Sequence, residues 1–310
     1  MTPVLPQNSL AIKRISATPD PAPSIRSASP EYAKLVDISR CIGCKGCEVA
    51  CKEWNELGVE PTRNFGSYQS HEDLSADTWL LMRFNEVENS NGELEWLIKK
   101  DACLHCEEPG CLYACPAPGA IIQYENGIVD FVQENCIGCQ YCVTGCPFDI
   151  PRYKPETKKV YKCNMCVDRV DAGLEPACVK TCPTNAISWG SKEDMVKLAE
   201  SKVDRLQERG YEHATVYDPA GVGGVHMMYV VPHGDRMPDY DLPEDPTASP
   251  GPLQVMGAVK KLGAWAFGLG ILGTVLHYLG VGPEAPDDDS LSPPLSDPLQ
   301  SSSFNDGITS

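Results

Sequence analysis

The sequence predicts an α+β fold of two cysteine-built modules, one nested in the other and both carrying insertions, plus one C-terminal transmembrane helix. Three observations predict it. The 310-residue chain has 16 cysteines, all in four tight quartets. Short strand-like runs with Asn-Gly turns separate the quartets. Residues 262–281 contain no Asp, Glu, Lys or Arg.

The third quartet, Cys136, Cys139, Cys142 and Cys146, reads C-x2-C-x2-C-x3-C-P, the bacterial-ferredoxin run that binds a [4Fe–4S] cluster. In two-cluster ferredoxins the fourth cysteine of such a run ligates the neighbouring cluster. Cys41, Cys44, Cys47 and Cys51 repeat the spacing, with Lys52 in place of Pro. Cys103, Cys106, Cys111 and Cys115 follow with x4 in the middle gap; Cys163, Cys166, Cys178 and Cys182 have an 11-residue loop there. Disulfides and structural zinc are the alternatives. Compact quartets disfavour the first, and zinc prefers two separated C-x2-4-C pairs. Four complete quartets give four [4Fe–4S] clusters.

Composition narrows the function classes. Hydrophobic content of 42% is globular. A formal charge of −17 argues against a nucleic-acid partner. Neither a Walker loop nor G-x-G-x-x-G is present. Nothing resembles a substrate site, so the chain reads as no enzyme on its own.

Taken in order, residues 1–34 are rich in proline and read as an extended arm laid on a partner subunit, or else as a disordered tail. No apolar stretch follows Lys13-Arg14, so a signal peptide is not expected. Thr78–Phe84 and Leu94–Lys99 form a hairpin through Asn91-Gly92. Ala120–Tyr124 and Ile128–Phe131 form another through Asn126-Gly127. Thr184–Ile187 repeats the pattern after Cys115. Ser191 caps an amphipathic helix that ends at Gly210, with Met195, Leu198, Ala199, Val203 and Leu206 on one face. Gly221, Gly223 and Gly224 turn into a strand at Val225–Val231.

The stretch from Leu262 to Val281 spans roughly 30 Å as a helix, the thickness of a bilayer core. Trp265 and Tyr278 stand near its ends. Ala266, Gly270 and Thr274 form a small-residue stripe. A buried soluble helix is the alternative. His277, polar within this span, is a functional candidate. The acidic tail 283–310 reads as disordered.

Two cluster pairings fit the quartets. Only 20 residues separate motifs two and three, which favours the nested arrangement over a tandem one. Nested, Cys41, Cys44 and Cys47 pair with Cys182; Cys163, Cys166 and Cys178 with Cys51; Cys103, Cys106 and Cys111 with Cys146; Cys136, Cys139 and Cys142 with Cys115. The outer module is then 35–102 with 155–190, and the inner one 103–154. A helix and docking segment occupies 191–250, and the anchor 251–282. His105 could donate to a cluster sulfur. Lys45, Lys52, Lys162, Arg169 and Lys180 lie near cluster cysteines and would raise reduction potentials, with solvated charges as the alternative for most of them.

With its four quartets, C-terminal anchor, Glu95–Cys103 run and Gly221–His226 run, the chain resembles the beta (iron–sulfur) subunit of respiratory, membrane-bound formate dehydrogenase of the N/O type. Related reductases and hydrogenases share the quartets; nitrate reductases replace one Cys of the third by Trp, whereas Cys139 is present here. The resemblance implies an electron-transfer subunit in anaerobic respiration. A molybdopterin or tungstopterin catalytic alpha subunit would feed the Cys41 cluster. The Cys51 and Cys103 clusters would follow, and the Cys136 cluster would deliver to a cytochrome b gamma subunit that reduces quinone. It also implies the inner membrane, one pass, with the cluster domain periplasmic. Lys260-Lys261 before the helix argue the opposite orientation by the positive-inside rule, which is weak for large domains. A hydrogenase iron–sulfur subunit and a soluble polyferredoxin are the alternatives.

Overall fold

The structure, a computed structural model, describes residues 6, 8–18, 30–89, 91–248 and 252–282, with side chains in the last segment over 265–280. The chain divides into two compact units, Met1–Gly257 and Ala258–Ser310.

Eleven strands are described: β1 (Ile12–Ile15), β2 (Tyr32–Asp37), β3 (Leu81–Glu88), β4 (Leu94–Asp101), β5 (Ile121–Tyr124), β6 (Val129–Phe131), β7 (Arg152–Lys154), β8 (Lys159–Tyr161), β9 (Ile187–Ser191), β10 (Thr215–Tyr217) and β11 (Met227–Val231). The helices are α1 (Gly46–Trp54), α2 (Gly110–Ala114), α3 (Tyr141–Thr144), α4 (Val167–Asp171), α5 (Ala177–Lys180), α6 (Lys192–Glu208) and α7 (Pro252–Val281).

The main sheet runs β10-β11-β2-β9, with β11 and β2 parallel and the other pairs antiparallel. Neighbours on both sides make β2 a central strand. Ala33, Leu35 and Val36 are buried there, as the continuous apolar run of a covered strand requires. Helix α6 covers this sheet. Ser191 Oγ accepts from Asp194 N–H at 3.1 Å, the expected cap. Met195, Ala199 and Leu206 are buried; Leu198 and Val203 are partly so. The same face also buries Lys202, whose ammonium meets Asp37 at 2.6 Å.

Both expected hairpins are present. β3 pairs with β4 from Leu81↔Asp101 to Glu88↔Leu94. The first strand therefore starts at Leu81 rather than Thr78, because the Thr78 N–H and C=O bond back to Ser75 in a local turn. β5 pairs with β6, and Gly127 at φ +90 makes the turn.

One expectation is corrected. The arm meant for a partner subunit lies, over Ile12–Ile15, on this chain's own β5. It supplies the hydrogen bonds that the outer edge of the β5–β6 hairpin would otherwise lack. Residues 19–29 of that arm, and the expected tail 283–310, lie outside the described residues.

The backbone of α7 is one continuous 30-residue helix. Its described side chains, 265–280, are exposed, including Trp265, Phe267 and Leu279. Among the described residues no helix is long and apolar enough to cross a membrane; the charge-free stretch begins at Leu262, before the described side chains start.

Candidate metal centres

Each quartet opens with the same backbone device. The residue before the second cysteine is left-handed in all four: Gly43 (φ +63), His105 (+52), Gly138 (+70) and Met165 (+58). That turn aims the residue's N–H back at the first cysteine. His105 N–H reaches Cys103 Sγ at 3.4 Å, and Met165 N–H reaches Cys163 Sγ at 3.4 Å. Glycine is required at two of the positions. A Cβ on Gly43 would fall 2.7 Å from the Phe84 ring, and one on Gly138 would fall 2.2 Å from Lys158 O.

The third cysteine of each quartet rides on a short helix, and the fourth lies at or just past that helix's end, except Cys51, which is still inside α1. Helix α1 packs on α5, and α2 on α3. Motif one is thereby brought to motif four, and motif two to motif three. Cys41, Cys44, Cys47 and Cys182 line one cleft. Cys103, Cys106, Cys111 and Cys146 line a second. Cys51 is perturbed by Cys163, Cys178 and Cys166; Cys142 is perturbed by Cys115, Cys136 and Cys139. Each group combines three cysteines of one quartet with the last of another. All sixteen thiols are free of disulfides. Four soft thiolate donors gathered in one group, at ferredoxin spacing, fit a [4Fe–4S] cluster.

The family described as "4Fe-4S dicluster domain" matches residues 94–192, and a second of the same description matches 40–120. "Formate dehydrogenase N, transmembrane" matches 256–290. The iron–sulfur subunit of nitrate-inducible formate dehydrogenase from Escherichia coli (strain K12) is 55% identical over 280 residues, 90% of this chain and 95% of the relative. The formate dehydrogenase-O iron–sulfur subunit of the same organism is 55% identical over 270 residues, 87% of this chain and 90% of its own. The formate dehydrogenase iron–sulfur subunit of Haemophilus influenzae is 55% identical over 279 residues, 89% of each. The chain belongs to the family of formate dehydrogenase iron–sulfur subunits. As such a subunit it carries four [4Fe–4S] clusters, serves electron transfer in formate respiration and is membrane-associated.

The electrostatics of this iron–sulfur subunit follow from burial. Desolvation, with smaller contributions from neighbouring thiols, pushes Cys47 and Cys142 up to about 12 and Cys146 and Cys166 to about 11. Cys163 goes the other way. Burial raises it, but the ammonium groups of Lys34 and Lys100, the Met165 N–H hydrogen bond and the Lys162 ammonium together outweigh that and lower it. Burial lowers Lys34, but the negative charge of Cys178, Cys163, Cys166 and Cys51 as thiolates more than offsets it and raises it. Cysteine binds a metal group as the thiolate, so cluster binding releases thiol protons.

Three buried lysines therefore face the cysteines. Lys162 was expected; its Nζ donates to Val129 O (2.6 Å) and Cys163 O (2.9 Å) and lines the Cys103 cleft. Lys34 and Lys100, each 1% exposed, were not. Lys100 lines the Cys41 cleft and reaches Met227 Sδ at 3.1 Å. The only signal for either was a lysine inside a strand-like run. Of the other expected cations none is buried, although Lys45 also lines the Cys41 cleft. Lys45 donates to Tyr68 O, Lys52 to Asp77 O (2.7 Å), Arg169 covers the Trp54 ring at 4.2 Å, and Lys180 is exposed. His105 is fully buried and lines the Cys103 cleft; its Nδ1 accepts from Val129 N–H (3.0 Å), so Nε2 carries the ring proton, and among the described residues that nitrogen has no partner.

Exposure grades the four groups. Cys51, Cys163, Cys166 and Cys178 are all buried. The Cys103 group holds two buried and two half-buried members. Only Cys44 and Cys139 are exposed, one in each remaining group. Beside them stand Ile42, 62% exposed, and Ile137, 66% exposed.

Proposed function

We propose that this chain holds its clusters in the nested pattern and conducts electrons from the Cys41 end to the Cys136 end. The ligand sets are Cys41, Cys44, Cys47 with Cys182; Cys163, Cys166, Cys178 with Cys51; Cys103, Cys106, Cys111 with Cys146; and Cys136, Cys139, Cys142 with Cys115. The supporting observation is the exchange of fourth cysteines between quartets that are neighbours in space. The 40–120 family match runs through motifs one and two; it follows contiguity along the chain, and the helix packing of α1 on α5 outweighs it. When bound, each cluster supplies a one-electron carrier. The protein supplies the thiolates, excludes water from the two inner groups and sets fixed positive charge beside them.

The exposed ends define the partners. The surface at Cys44 and Ile42 receives a molybdopterin or tungstopterin catalytic alpha subunit that oxidises formate. The surface at Cys139 and Ile137 meets a cytochrome b gamma subunit. The alpha subunit performs the chemistry, and this chain none. Helix α7 crosses the inner membrane once; its exposed apolar side chains need lipid or another helix to cover them. The cluster unit faces the periplasm and the tail the cytoplasm. His277 and the Ala266, Gly270 and Thr274 stripe lie on this helix and serve packing against the gamma subunit.

Cys182→Ser tests the pairing. By electron paramagnetic resonance, with potentials poised to separate the signals, the cluster of Cys41 should be altered and that of Cys163 retained; the reverse pattern overturns nesting. For the partners, the complex purified in detergent should contain a pterin-bound molybdenum or tungsten subunit and a haem b subunit. A nickel–iron subunit in their place overturns the assignment. A reporter fused after residue 310 should be active on the cytoplasmic side only.

A further inference from the structure

Outside the cysteine clefts, Glu31, Glu107 and His226 bring one ligand atom each within 4.8 Å of one another. They come from distant places: the lead into β2, the loop after Cys106 and the lead into β11. His226 is 0% exposed. Its Nδ1 lies 2.9 Å from His105 O, a carbonyl that can only accept, so Nδ1 carries the proton and Nε2 presents a lone pair. Among the described residues Nε2 has no hydrogen-bond partner, and neither does the buried Glu107 Oε2, 4.0 Å away. The other oxygen of Glu107 is held by Lys13. The ring cannot swing aside: a Cβ on Gly127 would sit 2.0 Å from His226 Cδ2, so the backbone there lies against it. Two lone pairs therefore face each other in a buried spot, a costly arrangement without a cation or proton between them. An imidazole whose other nitrogen donates to a backbone carbonyl is also the usual form of a metal-bound histidine.

We propose that His226 Nε2, Glu107 and Glu31 bind a divalent first-row cation of the zinc type, separate from the iron–sulfur clusters. One imidazole and two carboxylates suit Zn2+ better than Mg2+ or Ca2+, which take all-oxygen shells. Ligand atoms of a tetrahedral zinc sit ~3.3 Å apart, given bonds of about 2.0–2.1 Å. The exposed Glu31 side chain has the freedom to close that gap; solvent completes the shell. The cation offsets two carboxylates and ties the start of β2 to the loop that carries Cys106. That loop is already stitched to the glycine turn, through Glu107 N–H to Gly224 O (2.9 Å) and the bridge of Cys106 with Val225. The site is thus a clamp on one wall of the Cys103 cleft.

The test uses the intact detergent-purified complex, treated with a chelator and dialysed against Zn2+, with iron measured in parallel to confirm that clusters are retained. Wild type should take up about one Zn2+ per chain at this site, and its X-ray absorption at the zinc edge should show nitrogen and oxygen neighbours only. Glu31→Gln, a surface change that folding should tolerate, should weaken uptake at least ~10-fold, and His226→Gln should abolish it. Equal Zn2+ affinity in wild type and Glu31→Gln overturns the proposal. So does a wild type that takes up no Zn2+, or a zinc shell containing sulfur, which would place the ion on a cysteine.

Discussion

The second and fourth cysteine groups are built from the same quartet grammar yet differ in their surroundings. Cys51, Cys163, Cys166 and Cys178 are buried with a buried lysine, Lys34, charged among them. In the group of Cys115, Cys136, Cys139 and Cys142, Cys139 reaches solvent beside the exposed Ile137. The Cys41 group resembles the latter at its rim, with Cys44 and Ile42 exposed, although Lys100 backs it from inside. Interior positions trade solvent for fixed protein charge. End positions keep a surface through which a partner subunit can approach. The shared loop conformation binds the cluster; what surrounds the loop decides its place in a chain of carriers.

Four measurements would break or sharpen that contrast. The largest effect is expected from Lys202→Met. The Lys202–Asp37 pair is buried at the end of β2, and removing the cation strands a carboxylate. A loss of about 3–5 kcal/mol is expected, read as a lower unfolding midpoint in denaturant. Next, Gly138→Ala should cost about 2–4 kcal/mol from the clash with Lys158 O and the left-handed backbone. Quantified iron should show one cluster lost, at the exposed end, with the interior ones kept. Third, Lys34→Met removes a positive charge that stabilises the reduced state, so the potential of the Cys163 cluster should fall. At an effective dielectric of ~20 and a separation of order 6 Å the shift is about 2–3 kcal/mol, or ~100 mV. Lys45→Met at the solvent-facing end should move its cluster by less than ~30 mV. Equal shifts in a potentiometric titration would refute the contrast. Smallest on stability are Ile42→Ser and Ile137→Ser, within ~0.5 kcal/mol. Each should nevertheless weaken retention of one partner subunit, a different one for each variant, during detergent purification.

The four cysteine quartets were legible because cluster chemistry imposes spacing on the sequence. The two Asn-Gly hairpins and the Ser191-capped helix were legible because they are local, set by turn residues and by a period of 3.6. What escaped was long-range. Nothing near Tyr32–Asp37 announces a parallel partner at Met227–Val231. The edge strand Ile12–Ile15 lies in a proline-flanked segment and is fixed only by the open edge of β5. Lys34 and Lys100 escaped because a lysine in a strand ordinarily reads as a solvent-facing residue. Only the gathering of thiols from two distant quartets makes its burial tolerable. His226 likewise carries no local signal, since its neighbours Glu31 and Glu107 belong to other parts of the chain.

The pairing of β2 with β9, from Tyr32↔Ser191 to Val36↔Ile187, puts the fold on a clock. A chain emerging from the ribosome has made Cys103 through Cys146, and the hairpin between them, while the strand before Cys41 still waits for β9. The inner two groups can close early around a short loop; the outer two close last, over nearly the whole cluster domain. A synthesis arrested before Cys182 would leave the receiving end open, so a chain able to accept electrons is one in which all four quartets have already been made.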